Sequence, residues 1–176
     1  IFFANEPVIE VTAPVIQAQI VETFILNQIN LQSILATKAS RVVHAAQGKV
    51  VIDFAARRAH GIDAANELAR VGYMAGFSGT SNVMAGRLYG VPTFGTMAHS
   101  FVECFPSERE SFRAYAASFP DTSTLLVDTY ETLDGVGRDI AVAIEMRRDG
   151  HALRAVRLDS GDLLQHSIEA RALLDQ

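Results

Sequence analysis

The sequence predicts an α/β fold, roughly half of a β/α barrel, from three observations. Short apolar runs rich in β-branched residues alternate with segments of helical periodicity, and four such units follow Gly48. The runs are apolar throughout, which is typical of parallel strands covered on both faces. Polar clusters come directly after them, as in barrels whose sites lie at the carboxyl ends of the strands. An open doubly wound sheet is the competing architecture.

The residues before the first of these units predict a different organisation. Alternation at Pro7–Val11 predicts a strand, and we assign residues 1–12 to the end of an N-terminal β-rich domain. Pro14 stands where a helix would begin, and apolar residues recur at helical spacing after it. We therefore expect residues 13–48 to form a connecting region, either one long helix or two helices broken near Asn27–Asn30.

Residues 49–176 form the predicted partial barrel. Its elements in chain order are a strand at Val50–Phe54, helices at Asp63–Ala75 and after Thr80 or Ser81, a strand at Val91–Phe94, a helix from the capping box Ser107-x-x-Glu110 to about Ser118, a strand at Thr124–Val127, a helix at Gly137–Arg147, a strand at Leu153–Leu158 and a helix from Asp162. The sequence opens at Ile1 without an initiator Met and stops at Gln176 within an amphipathic pattern, so we expect an internal segment of a longer protein.

Composition excludes several classes of protein. The single Cys104 rules out an intramolecular disulfide framework, and no apolar run is long enough to span a membrane. The net charge of −5, with both signs interspersed, argues against a nucleic-acid surface, although a few arginines can still bind a small anion. We expect a cytoplasmic protein with no nucleic-acid or membrane partner.

Two strand ends carry candidate catalytic groups. Arg57 and Arg58 follow the first strand of the barrel, where alternation would direct one guanidinium toward the site as an anion clamp; a solvated surface pair is the alternative. His99 is placed in a strand-to-helix loop, where a neutral imidazole can act as acid, base or nucleophile. An ordinary core histidine is the competing interpretation of His99.

Two further clusters combine glycines with polar side chains. The run Gly76–Asn82, which contains Ser81, opens a helix and can hold an anion or be only a helix cap. Arg157 and Asp159 lie on one side of an extended chain, where the arginine can meet a phosphate and the carboxylate a ribose hydroxyl or Mg²⁺. A turn followed by a cap at Asp162 is the competing interpretation of this cluster.

The clusters described above belong to a longer series of motifs, which are Asn5-Glu6-Pro7, Glu22-Thr23 with Asn27, Ala36-Thr37-Lys38-Ala39, Phe54-x-x-Arg57-Arg58-x-x-Gly61, Gly79-Thr80-Ser81-Asn82-Val83-x-Ala85-Gly86, Gly95-Thr96-Met97-Ala98-His99-Ser100, Val127-Asp128-Thr129-Tyr130 and Arg157-Leu158-Asp159-Ser160-Gly161-Asp162. In this order and spacing, the motifs resemble the nicotinate phosphoribosyltransferase family over nearly the whole chain.

The resemblance implies a fold and a reaction. The fold is the irregular α/β barrel of type II phosphoribosyltransferases beside an N-terminal β-rich domain, in a homodimer. The reaction converts nicotinate and phosphoribosyl pyrophosphate to nicotinate mononucleotide and pyrophosphate, with coupled ATP hydrolysis, in NAD salvage. Mg²⁺ is the implied cofactor and ATP the co-substrate. The later glycine-rich loops that hold the nucleotide phosphate in the family lie beyond Gln176, so we expect this segment alone to be inactive.

The resemblance also implies roles for individual residues. His99 matches the histidine that the family transiently phosphorylates, and Asp159 matches an acidic position near ribose and metal, a candidate Mg²⁺ ligand. With Arg57, these two are the implied catalytic residues. The implied substrate-binding positions are Arg57, Ser81, Gly95, Ser100, Asp128, Arg157 and, as a weaker phosphate ligand, Lys38.

Departures from the family pattern concern the fine shape of the pocket, and rival activities are weighed on other residues. Ala55, Ala56 and His60-Gly61-Ile62-Asp63 differ from common family residues beside Arg57. Nicotinamide phosphoribosyltransferase is the runner-up, but it carries an Asp where this chain has Ser81, and an anionic Asp would repel nicotinate. Quinolinate phosphoribosyltransferase is a weaker rival, because it does not need the motif around His99. A non-catalytic nucleotide-binding relative is the rival from outside the enzymes.

Overall fold

The computed structural model describes residues 2–176; Ile1, part of the first predicted domain, lies outside the described residues. The chain divides into two compact units. The N-terminal unit ends at Phe94, and the C-terminal unit is Gly95–Gln176. Each contains a two-stranded parallel sheet with helices before and after its strands, so the predicted α/β class with parallel strands is confirmed.

The N-terminal unit begins with one long helix. Its elements are α1 (Val15–Ala45), β1 (Ile52–Asp53), a 3₁₀ turn (Ala56–Arg58), α2 (Ile62–Met74), β2 (Gly79–Thr80) and α3 (Val83–Tyr89). Helix α1 runs unbroken, which decides between the two forms expected for residues 13–48. Strand β1 pairs with β2, and Thr80 also forms a parallel bridge to Thr93.

The C-terminal unit contains the best-defined core. Its elements are α4 (His99–Glu103), α5 (Glu108–Ser118), β3 (Thr124–Leu126), α6 (Thr132–Arg148), β4 (Ala155–Arg157) and α7 (Leu163–Leu174). Leu125 and Leu126 of β3 are fully buried with Phe112 of α5 and Val136 of α6. Helix α6 approaches the end of β3 so closely that a β-carbon at Gly135 would collide with the carbonyl oxygen of Val127.

Several helix ends follow the local signals in the sequence. The Ser107 hydroxyl accepts from the Glu110 amide at the start of α5, and Asp162 caps α7 by accepting from the Gln165 amide. Helix α6 begins at Thr132 instead of near Gly137, because the Glu131 carboxylate caps it through two backbone amides.

Three further expectations about elements were wrong. Pro7–Val11 forms no strand, and no partner strand lies beside it within residues 2–176, so its alternation has no ladder to join. Val91–Phe94 contributes only the bridge at Thr93. His99 is not in a loop: it is the first residue of the short helix α4.

No helix among residues 2–176 is both long and apolar enough to cross a bilayer.

Candidate active site

The ends of β3 and β4 bring two aspartates of the C-terminal unit together. The strands pair in parallel with Leu126 opposite Arg157, so the residues that follow them lie at one edge of the sheet. Asp128 is buried, and its Oδ2 accepts from the Asp159 amide at 2.9 Å and from the Ser160 hydroxyl at 2.6 Å. Asp128 therefore holds the backbone of the loop that carries Asp159.

Arg157 crosses from β4 to the segment before α4. Its Nη1 donates to the Thr96 hydroxyl at 2.6 Å and to the Met97 carbonyl oxygen at 3.4 Å, while Nη2 lies 3.1 Å from Asp159 Oδ1. The hydrogen bond and charge of Arg157, with a smaller effect from His99, hold the pKa of the Asp159 carboxyl below its usual value, against the opposing effect of partial burial. Asp159 is therefore an ionised hydrogen-bond acceptor at neutral pH.

The imidazole of His99 lies between two strand ends. Its Nδ1 is 3.1 Å from the Thr129 hydroxyl oxygen, and its Nε2 is 3.4 Å from Asp159 Oδ2. The side chain is 39% exposed, so the ring is held at both nitrogens and still open to solvent. This arrangement excludes the interpretation of His99 as an ordinary core histidine.

The flanking residues Gly95 and Ser100 are exposed. The Ser100 hydroxyl makes no hydrogen bond to any of residues 2–176, and Gly95 has open space where a β-carbon would lie. The structure therefore places both beside the His99 cluster without giving either a contact in it.

The remaining candidates belong to the N-terminal unit. Alternation predicted that Arg57 and Arg58 continue the first strand, and this was wrong. The chain instead turns into the 3₁₀ segment that contains both arginines, and both are exposed. Lys38 is exposed on α1, and Ser81, directly after β2, is half-buried. No hydrogen bond or ion pair joins Lys38, Arg57 and Ser81 to one another in the described part of the chain.

The buried side chain and backbone of Asp53 nonetheless fix the backbone beside Arg57 and Ser81. Asp53 accepts from the Ala55 amide through Oδ1 at 2.8 Å and from the Thr80 hydroxyl through Oδ2 at 2.7 Å, and its carbonyl oxygen accepts from the Ser81 amide. Asp53 therefore holds the backbone at the start of the turn that bears Arg57, and it also holds Thr80 and Ser81 at the end of β2. The glycine and hydroxyl cluster itself serves as a cap, since Asn82 accepts from the Ala85 amide at the start of α3.

Sequence reasoning did not single out three residues that organise these sites. Thr96 and Thr129 stand inside the motifs that carry the family resemblance, and Asp53 is the last residue of β1. For Thr129 the signal is a hydroxyl next to a candidate aspartate at a strand end, and for Thr96 it is a hydroxyl within the motif of a candidate histidine. For Asp53 the signal is a charged residue within an apolar strand, which must be paired when buried.

The fold and the clustered side chains define an α/β protein whose polar site combines an arginine, an imidazole and carboxylates at strand ends. The chain belongs to the nicotinate phosphoribosyltransferase family, whose model matches residues 50–174. It is 58% identical to a nicotinate phosphoribosyltransferase of Mycobacterium tuberculosis over 99% of this chain and 37% of that protein. Identity to the Bacillus subtilis nicotinate phosphoribosyltransferase is 43%, over 99% of this chain and 35% of that protein.

Solved structures show the same relationship. The crystal structure of human nicotinic acid phosphoribosyltransferase superposes with a TM-score of 0.83 at 32% identity, covering 92% of this chain and 42% of that one. A nicotinate-nucleotide pyrophosphorylase from Pyrococcus furiosus superposes with a TM-score of 0.71 at 26% identity, covering 82% and 38%. The chain thus spans well under half the length of these relatives.

Proposed function

We propose that the protein containing this chain is an ATP-dependent nicotinate phosphoribosyltransferase. It would convert nicotinate, phosphoribosyl pyrophosphate, ATP and water to nicotinate mononucleotide, pyrophosphate, ADP and phosphate, in NAD salvage. Family membership and the names of the relatives support the reaction. The observation that carries it in the structure is the imidazole of His99 held between Asp159 and Thr129.

His99 is the proposed acceptor of the phosphoryl group. The ring nitrogen that bears the lone pair would release the hydrogen bond that it accepts and attack the γ-phosphorus of ATP; the bond from that phosphorus to the bridging oxygen would break, and ADP would leave with the electron pair. Water would later hydrolyse the phosphohistidine to phosphate. The nucleophile needs a neutral ring in a fixed orientation, and contacts at both nitrogens of His99 supply that orientation.

Phosphoribosyl transfer itself needs cations and in-line geometry. The pyridine nitrogen of nicotinate would bond to the anomeric carbon of ribose as the carbon–oxygen bond to pyrophosphate breaks, with oxocarbenium-like charge in between. Arg57 and Arg157 would bind the anionic groups, and Asp159 would face the ribose. The proposed supporting contacts are those of Asp128, Gly95, Ser100 and Lys38.

We propose Mg²⁺ as the ion that neutralises pyrophosphate, held mainly by phosphate oxygens and water. Among residues 2–176, no group of three or more His, Cys, Asp or Glu side chains is placed to hold a metal ion. Asp159 is the carboxylate of this chain that would contact the ion, because each of its oxygens keeps a second lone pair while it faces Arg157 or His99. The ion therefore fits as a companion of the substrate, with one protein ligand.

Membership of the family is the basis for a proposal about the barrel, the N-terminal domain and the oligomer. We infer that the parallel strand pairs belong to one irregular β/α barrel, with residues 1–12 at the end of an N-terminal β-rich domain, in a homodimeric cytoplasmic enzyme. The TM-score to the human structure supports a shared α/β fold for this segment. Small-angle scattering of the full-length protein tests the homodimer, because a monomeric mass contradicts it.

Ser81 provides the test of substrate choice. In the full-length protein, Ser81→Asp should lower kcat/KM for nicotinate at least about tenfold more than for nicotinamide, because an added carboxylate repels the anionic base. Ser78→Asp is the matched control: Ser78 stands at the other end of β2, and its amide also donates to the β1 segment. Wild-type preference for nicotinamide would favour the runner-up activity, and no transfer to either base would contradict the proposal.

A further inference from the structure

Thr129 is held in place by the strand before it. It follows the buried segment Leu125–Asp128, in which Asp128 is anchored to the Asp159 loop through two hydrogen bonds. The Thr129 side chain is half-buried, and its hydroxyl oxygen lies 3.1 Å from His99 Nδ1 across 30 positions of sequence. A β-branched side chain on an anchored backbone has few rotamers, so this hydroxyl is preorganised.

The residue beside Nε2 of His99 decides which group donates in the hydrogen bond between Thr129 and Nδ1. An ionised carboxylate only accepts, so Asp159 beside Nε2 favours the ring form that carries its proton on Nε2. In a neutral imidazole of that form, Nδ1 bears the lone pair and accepts. The Thr129 hydroxyl is therefore the donor, and the ring is oriented by a hydroxyl on one side and a carboxylate on the other.

We propose that Thr129 is a positioning residue for His99, whose hydroxyl donates to Nδ1 and, together with Asp159, selects the ring form with its proton on Nε2. The consequence for phosphate acceptance rests on the proposed function; the ring form itself does not. Thr129 and Asp128 are adjacent, so one strand end positions both the imidazole and the loop of its carboxylate partner.

The ring form can be measured without any variant in the site. We would label the full-length protein with ¹⁵N-histidine and record two-bond proton–nitrogen correlations at about pH 8, where imidazoles are ordinarily neutral. The His99 signals are those absent from a His99→Gln sample. We expect a protonated Nε2 and an unprotonated Nδ1. A proton on Nδ1 would overturn the proposal.

Two substitutions separate positioning from packing. Thr129→Val keeps the shape and loses the donor, and should slow phosphate incorporation from γ-labelled ATP about tenfold, because the ring loses one of the two contacts that orient it before the attack. Thr129→Ser keeps the donor and should stay within about threefold of wild type. Thr122→Val, at an exposed threonine before β3, is the control and should match wild type.

The outcomes distinguish this proposal from the enzymatic one. Equal rates for Thr129→Val and wild type would overturn the role of Thr129, and so would a serine variant as slow as the valine variant. If wild type takes up no phosphate while its His99 ring shows the expected form, the phosphoryl-transfer function fails and the assignment of the Thr129 hydrogen bond stands.

Discussion

The two units hold their candidate site residues in different ways. In the C-terminal unit, Arg157, Asp159, His99 and Thr129 contact one another through side-chain atoms. In the N-terminal unit, Asp53 positions the backbone on either side, while Arg57 is exposed. A site built of mutual side-chain contacts is preorganised before substrate binds, whereas an exposed arginine becomes ordered only when it binds an anion. This difference is the basis for proposing that the C-terminal groups serve the chemistry and that Arg57 serves substrate capture.

The largest expected effect tests the preorganised cluster. In the full-length protein, His99→Ala should abolish acid-labile, base-stable phosphorylation from γ-labelled ATP and the stimulation of product formation by ATP. A reduced ATP-independent transfer should remain, because Arg57, Arg157 and Asp159 are still present.

His151→Ala is the control for this experiment, since His151 pairs with Asp121 on the surface, 3.0 Å away, outside the cluster. It should label like wild type. Label that persists in the His99→Ala protein would show that another residue carries the phosphate.

A smaller effect is expected from the exposed arginine. Arg57→Ala should lower kcat/KM for phosphoribosyl pyrophosphate about 100-fold, the strength of a charge-assisted contact, with ATP and without it. Its neighbour in the same turn, Arg58→Ala, should stay within about threefold. Steady-state kinetics on both variants measures the difference. No loss in either variant would support a solvated surface pair and remove the contrast between the units, whereas equal losses would show that Arg58 shares the role given to Arg57.

The smallest effect on activity is expected from the buried aspartates of the two units, which bear on stability. Asp53 has a hydrogen bond at each carboxylate oxygen, whereas Asp139 of α6 is fully buried and neither of its oxygens meets a partner among residues 2–176. Burial raises the pKa of Asp139 to about 8. Between the unfolded value near 4 and about 8, the folded state binds one more proton than the unfolded state, so stability must fall as pH rises through this window.

Asp139→Asn should remove that dependence. The stability of wild type relative to the variant should fall by roughly a few kcal/mol between about pH 4 and pH 8, measured by urea denaturation of the full-length protein. Asp149→Asn, at the exposed end of the same helix, is the control. A difference that does not change with pH would mean that Asp139 has a partner or is ionised in the folded protein.

Local signals explain why part of the architecture could be predicted. Ser107 and Asp162 cap their helices as expected, because a cap needs only the amides two or three residues later. The helical spacing in α1 and the position of Asp128 after β3 are likewise readable within one segment. The strand at Pro7–Val11 failed for the opposite reason, since a strand needs a partner that alternation cannot supply.

The candidate site, like the fold, was predicted in part from the sequence and in part only from the structure. The sequence by itself determined which chemical groups are available to the site: the imidazole of His99, the guanidinium of Arg157 and the carboxylates of Asp128 and Asp159. Only the tertiary structure decided which atoms meet, including Nδ1 of His99 with Thr129 and Oδ2 of Asp128 with the Asp159 amide. The physical reason is that hydrogen bonds form over about 3 Å, and the parallel register of β3 and β4 sets such distances between residues about 30 positions apart.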